Sequence, residues 1–129
     1  MEVQLRAVLL AWLAADPALS AQLNGIVEEA PSRASLPWLA VAASASADWS
    51  CKDRVGREVR VALELQCRGD RSDAAGALVS VIETRIAALP AAQTGFGIAS
   101  VQFLRARAEQ RPANTRAILL EYRFRILAD

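Results

Sequence analysis

The chain has 129 residues, enough for one domain with its own core. Hydrophobic residues make up 53% of it and aromatics 5%, so the core must be built from Leu, Val and Ile with few large anchors. The net charge of +1 gives no global field toward nucleic acid or membrane, and the absence of histidine removes the commonest general base and metal ligand together.

In chain order, Leu5, Val8, Leu9, Trp12 and Leu13 recur at the spacing of one helix face, which predicts a helix over 2–15. The stretch VLLAWLAADPALSA could pass for a secretion signal. Glu2 and Arg6 leave its start without net positive charge and Asp16-Pro17 interrupts the run, so an amphipathic helix is expected instead. Asp16 is placed to cap a second short helix over 17–23, with Pro17 at its first position and Asn24-Gly25 as its stop. A short strand is expected at 26–30, then a loop, PSRASLP, bracketed by Pro31 and Pro37.

Residues 38–49 predict a strand with Leu39, Val41, Ala43, Ala45, Ala47 and Trp49 on one face. Its small residues on both faces suit close approach by another layer or subunit. A charged loop over 50–57 leads into the most regular strand. There Val59, Val61, Leu63, Leu65 and Cys67 alternate with Glu58, Arg60, Glu64, Gln66 and Arg68. RGDRSD is a turn, with Ser72 or Asp73 able to cap a helix that runs to about Leu89 and turns Ala75, Leu78, Val79, Ile82, Ile86 and Leu89 inward, stopped by Pro90. After the loop AAQTGFG, a strand of mixed pattern runs from Ile98 to Gln110, followed by a turn at 111–114. The last strand has Ile118, Leu120, Tyr122, Phe124 and Ile126 inward and Glu121, Arg123 and Arg125 outward. The order of elements predicts a single α+β domain over 1–129: an antiparallel sheet of about four to five strands, with an N-terminal helix and one central helix packed on one face.

The two cysteines do not suggest a framework. Cys51 falls in the loop and Cys67 at the far end of the next strand, about 33 Å of ladder away, whereas a disulfide needs Cα atoms within roughly 7 Å. Two free thiols and synthesis in a reducing compartment are expected. No apolar run approaches the ~20 residues of a membrane-spanning helix.

Candidate chemistry is sparse. Glu28 and Glu29 are neighbours on a strand and point to opposite faces, so they do not make an acid-base pair. The GFG at 95–97 lacks the third glycine and the following helix of a dinucleotide loop, and RGD at 68–70 reads as the turn before a helix. Ser44, Ser46 and Ser50 have no histidine to activate them. No catalytic residue, cofactor or metal site is assigned. Two basic groups stand out instead: Lys52, Arg54 and Arg57 in the loop, and Arg116, Arg123 and Arg125 within an arginine-rich segment over 105–125. The segment suits a phosphate-binding hairpin or the polar face of an antiparallel pair, and stacking partners for bases are few. Charge is also split along the chain. Residues 1–50 sum to −3 and the remainder to +4, a polarity that suits copies meeting head to tail.

Several motifs, in order, resemble the tail completion, or tail terminator, family of tailed bacteriophages and phage-like particles such as gene transfer agents. They are LRAVLLAWLAADPALSAQLNG, SLPWLAV, DWSCKDRVGREVRVALEL with its Gly56-Arg57-Glu58 step, CRGDRSDAAGALVSVIETRIAAL and TRAILLEYRFRILAD. Cys51 stands where relatives more often have Thr, and the long hairpins of some members look shorter here. The resemblance implies a structural virion protein rather than an enzyme. It implies a homo-oligomeric ring, expected to be a hexamer, at the head-proximal end of the tail tube. Its partners would be the tail tube protein and the head connector or stopper, with genome DNA passing through the lumen without sequence-specific binding and no membrane involved. Lys52, Arg54, Arg57, Arg116, Arg123 and Arg125 are then candidate assembly contacts. Other readings are another neck component, such as a head-completion protein, a nucleic-acid-binding module, or a small enzyme.

Overall fold

Leucine at every fourth position of the first helix decides where it sits. In the computed structural model, which describes residues 1–30 and 35–129, helix α1 (Glu2–Ala14) buries Leu5, Leu9 and Leu13 completely. Asp16 caps the next helix, α2 (Pro17–Gln22), accepting hydrogen bonds from the amides of Ala18 at 2.9 Å and Leu19 at 3.2 Å. Part of the expected PSRASLP loop, residues 31–34, lies outside the described residues.

Five strands follow one another in the sheet order β1-β2-β3-β5-β4: β1 (Ile26–Val27), β2 (Trp38–Asp48), β3 (Gly56–Arg68), β4 (Phe96–Arg111) and β5 (Thr115–Ala128). Every pairing is antiparallel except β1 with β2. That one is parallel and confined to Ile26 opposite Leu39 and Val27 opposite Ala40. The α+β class, the helices on one face and the strand count agree with expectation. The parallel β1 and its two-residue length do not. Leu39's amide donates to the Gly25 carbonyl at 2.9 Å, which brings the chain alongside β2 directly after α2 and leaves it the same direction as β2.

The centre of the sheet is β3 and β5, paired without a break from Gly56 opposite Leu127 to Arg68 opposite Thr115. Their predicted alternation holds: Val59, Val61, Leu63 and Leu65 lie against Phe124, Tyr122, Leu120 and Ile118, with all but Ile118 buried. Helix α3 (Ser72–Ala87) covers this face with Leu78, Ile82 and Ile86, and one hydrophobic cluster joins them to the three α1 leucines. The helices are locked to each other at Trp12 and Arg85. The indole Nε1 donates to the Arg85 carbonyl at 2.6 Å, Arg85 Nε donates back to the Trp12 carbonyl at 2.9 Å, and the guanidinium lies 3.4 Å from the ring centroid.

The flanking strands correct the sequence reading. In β2 a bulge between Val41 and Ala43 inserts one residue, so parity switches there. Leu39 and Val41 face the core, but Ala43, Ala45 and Ala47 lie on the opposite face beside Ala62, Arg60 and Glu58. Ser44 and Ser46 take the helix side beside Val61 and Val59. Residues 42–48 are exposed. In β4, bulges between Ile98 and Ser100 and between Phe103 and Arg105 explain the mixed pattern: Ile98, Val101, Phe103 and Ala106 share the helix side despite irregular spacing. The strand also begins at Phe96, two residues before the expected start. Neither Ser72 nor Asp73 caps α3. Its N-cap is Arg71, and no side chain among the described residues closes the first turn.

Candidate assembly interface

The candidate basic residues fall at different levels of the sheet. The strands lie side by side along one axis, so one end of the sheet holds the β2–β3 loop, the close of β5 and the start of β4. The opposite end holds the 112–114 turn between β4 and β5 and the 69–71 turn before α3.

At the first end the loop is a built turn. Cys51's amide donates to the Arg54 carbonyl at 3.0 Å, Trp49's amide to the Gly56 carbonyl at 2.9 Å, and Gly56's amide to Ser50 Oγ at 3.0 Å. Ser50 donates in turn to Asp48 through its hydroxyl at 2.6 Å and its amide at 3.3 Å. These bonds, with a smaller contribution from Arg57, hold the Asp48 carboxyl below its ordinary range. The amide of Ala128 donates to the Val55 carbonyl at 2.8 Å and ties the loop to the end of β5. Lys52 and Arg54 stand exposed on this turn, away from the strand ladder. Arg57 is half-buried, opposite Asp48 and on the helix side of the sheet, where its charge reaches Glu2 at the start of α1.

Arg125 is near the same end but on the outer, helix-free face. It donates from Nε to Glu58 at 3.1 Å and sits 5.5 Å from the Trp49 ring centroid. Arg123 is further along that face, flanked by Arg60 on β3 and bonded to Gln102 on β4, with its Nε buried and unpartnered among the described residues. Arg116 is at the opposite end of the sheet, beside Cys67 and Gln110. Lys52, Arg54, Arg57 and Arg125 therefore share one end of the sheet, and Arg116 does not join them.

Most of the remaining arginine-rich segment is occupied internally. Arg105 pairs with Glu121, and Arg107 with Glu109 at 3.2 Å. Arg111 bridges Glu64 at 3.1 Å and Glu109 at 3.0 Å. This is the polar face of an antiparallel pair, with carboxylates set among the cations, and not an open phosphate track. Sequence reasoning missed the partners because Glu58, Glu64 and Glu121 meet the arginines only through the strand register. Cys51 is exposed and free. Cys67 is buried and free, its thiol 3.7 Å from the Arg116 carbonyl and pushed up in pKa by burial. Among the described residues no group of three or more His, Cys, Asp or Glu side chains could hold a metal, and no helix is long and apolar enough to cross a membrane.

Comparison with known proteins adds three findings. No curated protein matches the chain. A chain in the solved structure described as "Virion of native gene transfer agent (GTA) particle" is similar in fold, with a TM-score of 0.77 at 22% identity, covering 96% of this chain and 95% of that one. The family described as Tail completion protein gp17 matches residues 7–127, which run from the middle of α1 through all five strands. That span takes in nearly the whole sheet, most of α1 and all of α3, and the chain belongs to the tail completion protein gp17 family.

Proposed function

We propose that this protein is a tail terminator: a structural virion component whose copies close into a ring, expected to be a hexamer, at the head-proximal end of a tail tube. The family match over residues 7–127 carries the proposal, and the fold shared with a chain of a gene transfer agent virion supports it. The ring stops the growth of the tube and joins it to the head connector or stopper, and genome DNA passes through its lumen held by no base-specific contact. The protein works as a rigid part. An unbroken β3–β5 ladder, clamped by α1 and α3, keeps loops and edges in fixed relative positions, as a closing ring requires.

In this reading the turn carrying Lys52 and Arg54, with Arg57 and Arg125 beside it, docks on an acidic surface of the tube or the next copy, while Arg116 and Arg123 make separate contacts. Such charges contribute orientation and exclusion of wrong partners more than affinity. The test is the native mass of the purified protein, alone and mixed with its tail tube protein. An integer multiple of the subunit mass, with six copies expected, supports the ring. A chain that stays monomeric in both conditions contradicts it.

A further inference from the structure

The strand order leaves two edges open. On one side β1 covers β2 only at Leu39 and Ala40. On the other, the loop after α3 covers only the start of β4, where Ile98's amide donates to the Ala91 carbonyl at 2.7 Å and Ala92 bridges Gly97. Beyond those points residues 41–48 of β2 and 99–111 of β4 have no outward backbone partner among the described residues. We propose, resting on the ring reading above, that the free edge of β2 in one copy pairs with the free edge of β4 in the next, so that the sheet runs on from subunit to subunit.

Strand direction is the first support. β2 is antiparallel to β3, β3 to β5, and β5 to β4, so β2 and β4 of one chain run in opposite directions. A neighbour rotated into the next place of a ring therefore brings its β2 beside β4 antiparallel, the same pairing that builds the rest of the sheet.

Facing is the second. On β4, Ile98 combines an outward amide with a helix-side side chain, and Leu39 does the same on β2. Trp49's amide points inward to Gly56, so by alternation the amides of Ser44 and Ser46 point outward, and their side chains lie on the helix side. Val101 and Phe103 on β4 match them in both respects, past the bulge. Pairing these residues continues the helix side of one copy into the helix side of the next.

Chemistry is the third. Strand edges of monomers are usually guarded by lysine, proline, inward-pointing charge or a bulge; the AASASA run at 42–47 has none of the first three, and its bulge lies at the very start of the run. β4 presents Val101 and Phe103, 36% and 42% exposed, at a groove of about 450 Å³ lined also by Glu83, Ala87 and Tyr122. The incoming strand brings small serines to that aromatic ring, Ser44 already accepting a hydrogen bond from Arg6 Nη1 at 3.2 Å. Residues 41–48 carry one charge, the −1 of Asp48, and residues 99–111 carry +2. The head-to-tail join is therefore attractive, and a twofold β2–β2 or β4–β4 join sets like charges together.

The test is amide hydrogen exchange on the wild-type assembly and its monomer, with native mass on two variants. Exchange over 41–48 and 99–111 is expected to slow by about tenfold or more in the ring. Ser46→Pro removes an outward amide without touching the β3 ladder, and Ser46→Lys guards the same edge while keeping the amide. Each is expected to fold as wild type by circular dichroism and to remain monomeric. If Ser46→Pro fails to fold, Ser46→Lys and the wild-type exchange data still decide. A ring whose two edges exchange as fast as in the monomer, or a folded Ser46→Lys that still forms the ring, overturns the edge pairing and leaves the ring itself standing. A wild-type chain that is monomeric even with tube protein overturns the ring reading and this interface with it.

Discussion

Gly56 opens β3 at the base of the charged loop, and its surroundings leave no room for a side chain. A Cβ there would lie 2.4 Å from the Trp49 carbonyl oxygen, 2.8 Å from Leu127 Cδ2 and 3.0 Å from the Ile126 carbonyl oxygen. Two of the three obstacles are backbone of the adjacent strands, so relief requires moving β2 or β5 and not a side-chain rotation. Gly56→Ala therefore loosens the hairpin base. Overpacking of this kind costs about 1–3 kcal/mol. The bonds closing the base, Trp49 amide to Gly56 carbonyl at 2.9 Å and Gly56 amide to Ser50 Oγ at 3.0 Å, contribute about 0.5–1.5 kcal/mol each when kept. A loss of about 2–4 kcal/mol is expected, read as a lower denaturant midpoint at unchanged slope. Gly76 is the internal comparison. It lies within α3 with nothing among the described residues within 4 Å of its would-be Cβ, so Gly76→Ala should stabilise by about 0.5–1 kcal/mol. Equal midpoints for Gly56→Ala and wild type would show that the three strands do not approach as described, and the loop's fixed position would lose its basis.

Leu63 is fully buried between Val41 and Leu120, so Leu63→Ala should cost about 2–5 kcal/mol in chemical denaturation; a cost below ~1 kcal/mol would mean the strand register is wrong. The single tyrosine, Tyr122, has its pKa pushed up to about 12, first by burial and then by Glu83. Because the folded value lies above the unfolded one, its contribution is complete below pH 10.0 and is lost as pH rises through about 12. Phenolate absorbance should thus appear together with unfolding and not before it. Reversing the charge of both Lys52 and Arg54 to Glu should leave thermal stability nearly unchanged, since both are exposed and lie outside the ladder. It should impair ring formation or yield tails of uncontrolled length that fail to join heads. Normal assembly of this double variant would reduce the loop to a solvated turn.

Where local physics acts alone, the sequence was a good guide. The leucine spacing of α1, the Asp16-Pro17 cap and the strict alternation of β3 and β5 each show a period or a hydrogen bond completed within a few residues. The strands that misled are those with bulges. One extra residue near Ala42, and others near Ala99 and Leu104, reverse which residues share a face, and no composition signal marks them. The cap expected of Ser72 or Asp73 failed because Arg71 takes the N-cap place. The basic residues were visible as a list, but their grouping was not. Arg125 meets Glu58 across strands 67 positions apart in sequence, and Arg116 is carried to the other end of the sheet by the length of β5. The open edges were equally hidden, because they follow from the strand order β1-β2-β3-β5-β4, which depends on β5 inserting between β3 and β4.

The central claim is that this chain ends a tail tube as a ring, and electron cryomicroscopy of purified particles tests it most directly. The account predicts one ring of density per particle at the head-proximal end of the tube, into which this five-stranded fold docks in six copies with the β2–β3 loop at a contact. Density for the fold repeated along the tube, confined to the distal tip, or absent from completed particles would contradict it.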